Sequence, residues 1–97
     1  GPVVACALAT HQIGHRLAQW ETTVAGAIGR TAIDGGSRLT FDRDVDIASI
    51  GALVAAEQDC CRFLTFTLTV AADHVALDVT GPSDAQPVID ALIGAAP

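Results

Sequence analysis

The hydrophobic pattern changes period several times along this chain, and the changes mark its elements. Val3 to Leu8 is short and apolar and predicts a strand. Neighbouring strand side chains face opposite ways, so Val4, Cys6 and Leu8 share one face. Ile13, Leu17, Trp20, Val24 and Ile28 then recur at helical steps. Thr10 suits the cap of that helix and Gly29 its stop. Gly14 and Gly26 weaken it without an evident reason. Thr31 to Ile33 and Arg38 to Phe41 flank Asp34-Gly35-Gly36-Ser37, a hairpin pattern with Ile33, Leu39 and Phe41 turned inward.

Asp44 or Asp46 can cap a second helix, which turns Ile47, Ile50, Leu53 and Val54 inward and runs into Glu57, Cys60 and Cys61. The period then shifts to two. Leu64, Phe66, Leu68 and Val70 alternate with Thr65, Thr67 and Thr69. After a turn over Ala71 to His74, Val75, Leu77 and Val79 alternate on a returning strand that ends at Gly81-Pro82. Ser83 with Gln86 reads as a capping box for a last helix, with Val88, Ile89, Leu92 and Ile93 apolar and Gly94 as its stop. The expected architecture is an α+β domain: an antiparallel sheet of about five strands, including two hairpins, packed with three α-helices.

Composition narrows the function. The chain has 97 residues, the size of one domain. No apolar run approaches the roughly 20 residues of a membrane span, and the amino end lacks the basic region of a signal peptide. It begins Gly-Pro and holds no Met, which reads as a domain cut from a longer chain. The net charge is −6, and the five basic residues are scattered arginines. Direct nucleic-acid binding is not expected, because phosphate contacts need clustered positive charge. An odd cysteine count, an adjacent pair and no signal peptide point to a reducing, cytoplasmic setting.

Cys60 and Cys61 are the strongest candidates for chemistry. Thiolates favour soft ions such as Hg(II), Cu(I) and Zn(II), and As(III) binds them as well. Adjacent residues point about 100° apart on an ideal helix, so the two sulfurs converge only where the helix unwinds. Cys6 could supply a third thiolate if its strand lies beside this turn. The spacing is not that of a zinc site. Cysteine is also among the most buried residue types, so plain packing is the competing reading. A bridge between the two neighbours would be strained and is not expected. Glu57 lies three and four residues before the pair and can crowd the same side of the last turn. It reads equally as a proton acceptor or oxygen ligand and as a solvated residue paired with Arg62. Arg62 favours a thiolate, whereas Glu57 and the negative helix end oppose one. His11 and His15, four apart, are weaker candidate ligands, since two alone do not close a site. His74 reads as a solvent-facing turn residue, and Trp20 as core.

Glu57-Gln58-x-Cys60-Cys61-x-Phe63-Leu64-x-Phe66-x-Leu68 resembles the signature of a family of small bacterial domains, E-x-x-C-C-x-F-(F/L)-x-F-x-L. Cys6-Ala7-Leu8 and the Gly35-Gly36-Ser37-Arg38-Leu39-Thr40-Phe41 hairpin match the same pattern. Such domains stand alone or follow MerR-type regulators, and some lie near mercury-resistance functions. The composition is like that of actinobacterial proteins. The resemblance implies a sensing or sequestering domain for a thiophilic metal, Hg(II) foremost, with Cys6, Cys60 and Cys61 as matched positions. Arg62 departs from it, standing where Pro is common. A regulator role would need a fused DNA-binding domain or a partner, and a homodimer is compatible. Two other readings stand beside it. One is an organomercurial-lyase-like enzyme in which Glu57 or Asp59 delivers a proton. The other is a metal-free effector-binding or dimerisation module.

Overall fold

The structure is a computed structural model that describes residues 10–94, with side chains from residue 14 onward. The strand expected over Val3 to Leu8, and Cys6 with it, lies outside the described residues. The elements run α1 (Thr10–Ala25), β1 (Gly29–Ile33), β2 (Gly36–Asp42), α2 (Ile47–Cys60), β3 (Thr65–Val70), β4 (His74–Thr80), a 3-10 turn (Ser83–Ala85) and α3 (Gln86–Ile93). The four described strands form one antiparallel sheet in the order β1-β2-β4-β3. The α+β class therefore holds. No helix among the described residues is long and apolar enough to cross a membrane.

The register explains the layering. Leu39 pairs with Leu77, which pairs with Leu68, and Phe41, Val75 and Val70 make the next rung on that face. Leu39, Phe41, Val75, Leu77 and Val79 are buried, and they pack with Trp20, Ile50, Leu53, Ile89, Leu92 and Ile93 from the three helices as one core. The opposite face carries Thr31, Arg38, Thr65 and Thr67, all exposed. There Arg38 donates twice to Asp78 across β2 and β4, at 2.6 and 3.0 Å. Two-period alternation with one solvated face is what an antiparallel sheet needs.

Several local expectations change. The first hairpin turn is only Asp34-Gly35, with Ile33 paired to Gly36. Ile33 therefore sits on the face away from Leu39 and is half-buried. Gly35 has φ +80°, and a Cβ on Gly36 would strike the Val79 carbonyl oxygen, so each glycine is needed for its own reason. Helix α1 ends at Ala25 rather than near Gly29, closed by bonds from the Gly26 and Ala27 amides to Thr23 and Val24. Ile28 lies past the helix, 62 % exposed, because its amide joins the sheet through the Thr40 carbonyl, and Leu17 is 40 % exposed. The second helix is capped by Asp46, whose carboxylate accepts from the Ser49 amide and hydroxyl. The Ser83–Gln86 capping box does not form. A 3-10 turn occupies Ser83–Ala85, and Gln86 donates to Asp90 at 2.9 Å instead.

Candidate functional site

Helix α2 ends where its cysteines lie. Cys61 is the C-cap, with φ −116° and ψ 73°, so the backbone leaves the helix between the two sulfurs. Its amide still donates to Glu57, at 2.7 Å. Gln58 donates to the Leu64 carbonyl at 2.7 Å, tying the helix end to the entry of β3. Cys61, four residues after Glu57 on the stripe that carries Ile50 and Leu53 inward, enters the core and is 0 % exposed. Cys60, the last helical residue, is half-buried and is a free thiol.

Glu57 is 0 % exposed, so it is not the solvated residue that one reading allowed. Burying a carboxyl is costly unless its oxygens find partners. Here Trp20 Nε1 donates to Oε1 at 2.6 Å, short as charge-assisted bonds are. Arg16 lies 3.7 Å from the same oxygen. The second oxygen, Oε2, stands 3.1 Å from Cys61 Sγ. The Arg16 guanidinium also reaches Cys60 Sγ, at 3.9 Å. One residue of α1 thus links the buried carboxyl to the free thiol. Arg62, expected beside Glu57, is exposed, and Arg16 takes that place.

Cys61 is disulfide-bonded, and Cys60, a free thiol, is not its partner. No bridge joins the adjacent pair, as the strain argument expects. The expectation of reduced thiols does not match this state of Cys61. A disulfide sulfur has no proton to give, so its contact with Glu57 is then sulfur against carboxyl oxygen. After reduction the Cys61 thiol can donate to Oε2.

The other candidates lie apart. His15 is exposed on α1 and lines an open groove of about 520 Å³ between α1 and α2. The His11 side chain lies outside the described residues, so a His11–His15 pair has no described geometry. Asp59 is exposed. His74 begins β4, and its ring lies 2.8 Å from Asp73. This contact holds the Asp73 carboxyl below its ordinary range. Among the described residues, no three of His, Cys, Asp and Glu are grouped to hold one ion.

Arg16 and the polar edge of Trp20 were not singled out from the sequence. The signal was present in part. They lie four apart on one helix face, and a buried indole N–H needs an acceptor somewhere. Nothing in the spacing named Glu57 as that acceptor, 37 residues away. Compared with protein-family models, curated proteins and solved structures, the chain matches none.

Proposed function

We propose that this domain binds a thiophilic metal ion, Hg(II) foremost, as a cytoplasmic sensor or sequestration module. Cys60 and Cys61 are the core ligands and Cys6 the third, with Glu57 beside them. The observation that carries this reading is the surroundings of the sulfurs. Cys61 belongs to the apolar core and Cys60 packs against it, yet each sulfur also meets a charged side chain: Cys60 the Arg16 guanidinium and Cys61 the buried Glu57 carboxyl. The resemblance to the small mercury-associated domains supports the same reading. Three thiolates also suit As(III), and two near-opposed ones Cu(I), while Zn(II) is the least suited by spacing. The Cys61 sulfur becomes a ligand only after its disulfide takes up two electrons and two protons, so metal uptake follows reduction.

Native mass spectrometry of the reduced protein, titrated with these ions against a thiol competitor, tests the proposal. One retained Hg(II) per chain is expected, and it should vanish in the Cys60→Ala/Cys61→Ala variant. Equal retention by that variant would overturn the assignment.

A second reading draws on the 3.1 Å contact between Glu57 and Cys61. In an organomercurial the reduced thiols would take up mercury, Cys61 giving its proton to Glu57 Oε2, and Glu57 would pass that proton to the departing carbon as the Hg–C bond breaks, giving a hydrocarbon and thiolate-bound Hg(II). Release of benzene from a phenylmercury salt with excess thiol would support it, and stoichiometric binding without benzene would remove it.

A further inference from the structure

Two groups buried at the end of α2 touch each other, and one of them can change its chemistry. Cys61 is in a disulfide, and both it and Glu57 are 0 % exposed. Glu57 Oε2 stands 3.1 Å from Cys61 Sγ. The carboxyl is held in that orientation from its other side. Trp20 Nε1 donates to Oε1 at 2.6 Å, Arg16 lies 3.7 Å from the same oxygen, and the Trp20 ring stacks on Phe66. Oε2 is thereby kept against the sulfur. What it meets there depends on the oxidation state: a disulfide sulfur presents lone pairs, whereas a thiol presents a proton. A carboxylate accepts and does not donate, so the contact favours the thiol.

We propose that the Cys61 disulfide is a redox switch whose balance is set by Glu57, with Trp20 and Arg16 as the residues that position the carboxyl. The contact stabilises reduced Cys61 relative to its disulfide, so the bridge opens under milder reductants than it would without the carboxyl. The output of the switch rests on the metal-binding reading. Oxidised, the domain offers Cys60 without Cys61; reduced, it offers both sulfurs at one helix end. Metal uptake then follows the thiol poise of the surroundings, and Glu57 decides where on that scale the site becomes available.

The reductant is a low-molecular-weight monothiol. One molecule attacks the protein disulfide and forms a mixed disulfide, and a second molecule resolves it. The protein S–S bond breaks and one S–S bond forms between the two reductant sulfurs. Two electrons pass to the protein disulfide, and the two thiol protons end on Cys61 and on the sulfur it was bonded to. The proton on Cys61 then lies within reach of Oε2.

The test equilibrates the whole chain with glutathione at graded ratios of thiol to disulfide. A Cys60→Ala background removes the competing free thiol, and alkylation followed by peptide mass gives the fraction of Cys61 that is reduced. Cys61 should pass from mostly oxidised to mostly reduced within those ratios. In Glu57→Gln the amide oxygen serves the indole and an N–H faces the sulfur, so reduced Cys61 loses its charged acceptor. The equilibrium should then move toward the disulfide by about tenfold, the size of one charge-assisted hydrogen bond. Glu21→Gln removes an exposed carboxylate of α1, the same change in charge, and should leave the equilibrium where it was. No shift in Glu57→Gln, or an equal shift in Glu21→Gln, would overturn the contact as the cause. Should circular dichroism show Glu57→Gln unfolded, the parent decides: a disulfide that glutathione opens at none of the ratios is a fixed staple, and the switch is overturned. A tenfold shift with no Hg(II) retained by the reduced protein keeps the switch and removes the metal reading. Hg(II) retained with no shift does the reverse.

Discussion

Replacing Trp20 by Phe tests the centre of the site. Trp20 is 0 % exposed, stacks on Phe66 with ring centroids 5.9 Å apart, and donates to Glu57 at 2.6 Å. Phe keeps a ring against Phe66 but removes the donor. A hydrogen bond to a charged buried acceptor contributes about 1.5–3 kcal/mol. The smaller ring forfeits roughly 1 kcal/mol more in buried apolar area. The expected loss is therefore about 2.5–4 kcal/mol. A domain of this length carries on the order of 5–15 kcal/mol in total, so the change removes a large share. In urea the midpoint should fall by more than about 1 M, given slopes of roughly 1–3 kcal/mol/M. Circular dichroism is the right probe, because the substitution deletes the single tryptophan. A double-mutant cycle with Glu57→Gln isolates the bond. The glutamine oxygen still accepts from the indole, but as a neutral group, so Trp20→Phe should cost about 1 kcal/mol less in that background. Additive costs in the cycle, with Trp20→Phe alone below about 1 kcal/mol, would refute the claim that the indole holds this carboxyl.

Two further outcomes follow from backbone and cap geometry. Gly36→Ala drives a Cβ into the Val79 carbonyl and within 2.9 Å of Thr80 Cα, which should cost about 1–3 kcal/mol. Gly51→Ala in α2 meets nothing within 4 Å and should stabilise the protein by roughly 0.5–1 kcal/mol; thermal melts of the two variants should move in opposite directions. The Ser49 hydroxyl and amide hold the Asp46 carboxyl below its ordinary value of 3.8. The contribution of Asp46 is therefore complete above that value and is lost as pH falls through the lower folded-state one. Melts of Asp46→Ala against the parent should differ at neutral pH and converge in strong acid, whereas a constant gap would show that the cap acts without its charge.

Much of this fold was legible because burial imposes a period. Val75, Leu77 and Val79 had to share one face of a strand, and Ile50 and Leu53 one face of a helix, whatever lay around them. A turn within Asp34-Gly35-Gly36-Ser37 and a helix cap at Asp44 or Asp46 were legible because each depends on local backbone chemistry, and the structure chose Asp34-Gly35 and Asp46. The full extent of the hairpin and the end of α1 were not. Both were decided by which amides the sheet claimed, as when Thr40 drew Ile28 out of the helical pattern. The sequence also placed Cys60, Cys61 and Glu57 at one helix end. Spacing from Ile50 and Leu53 puts Glu57 on the apolar face of α2. It could not say that the carboxyl is fully buried, because a long side chain at a helix end can still reach water unless a neighbouring element covers it. That choice belongs to α1, which brings Trp20 and Arg16 across 37 and 41 positions of chain to partner the carboxyl. Periodicity reports which face is apolar. Which polar groups meet inside it depends on how the elements dock, and only the tertiary structure holds that information.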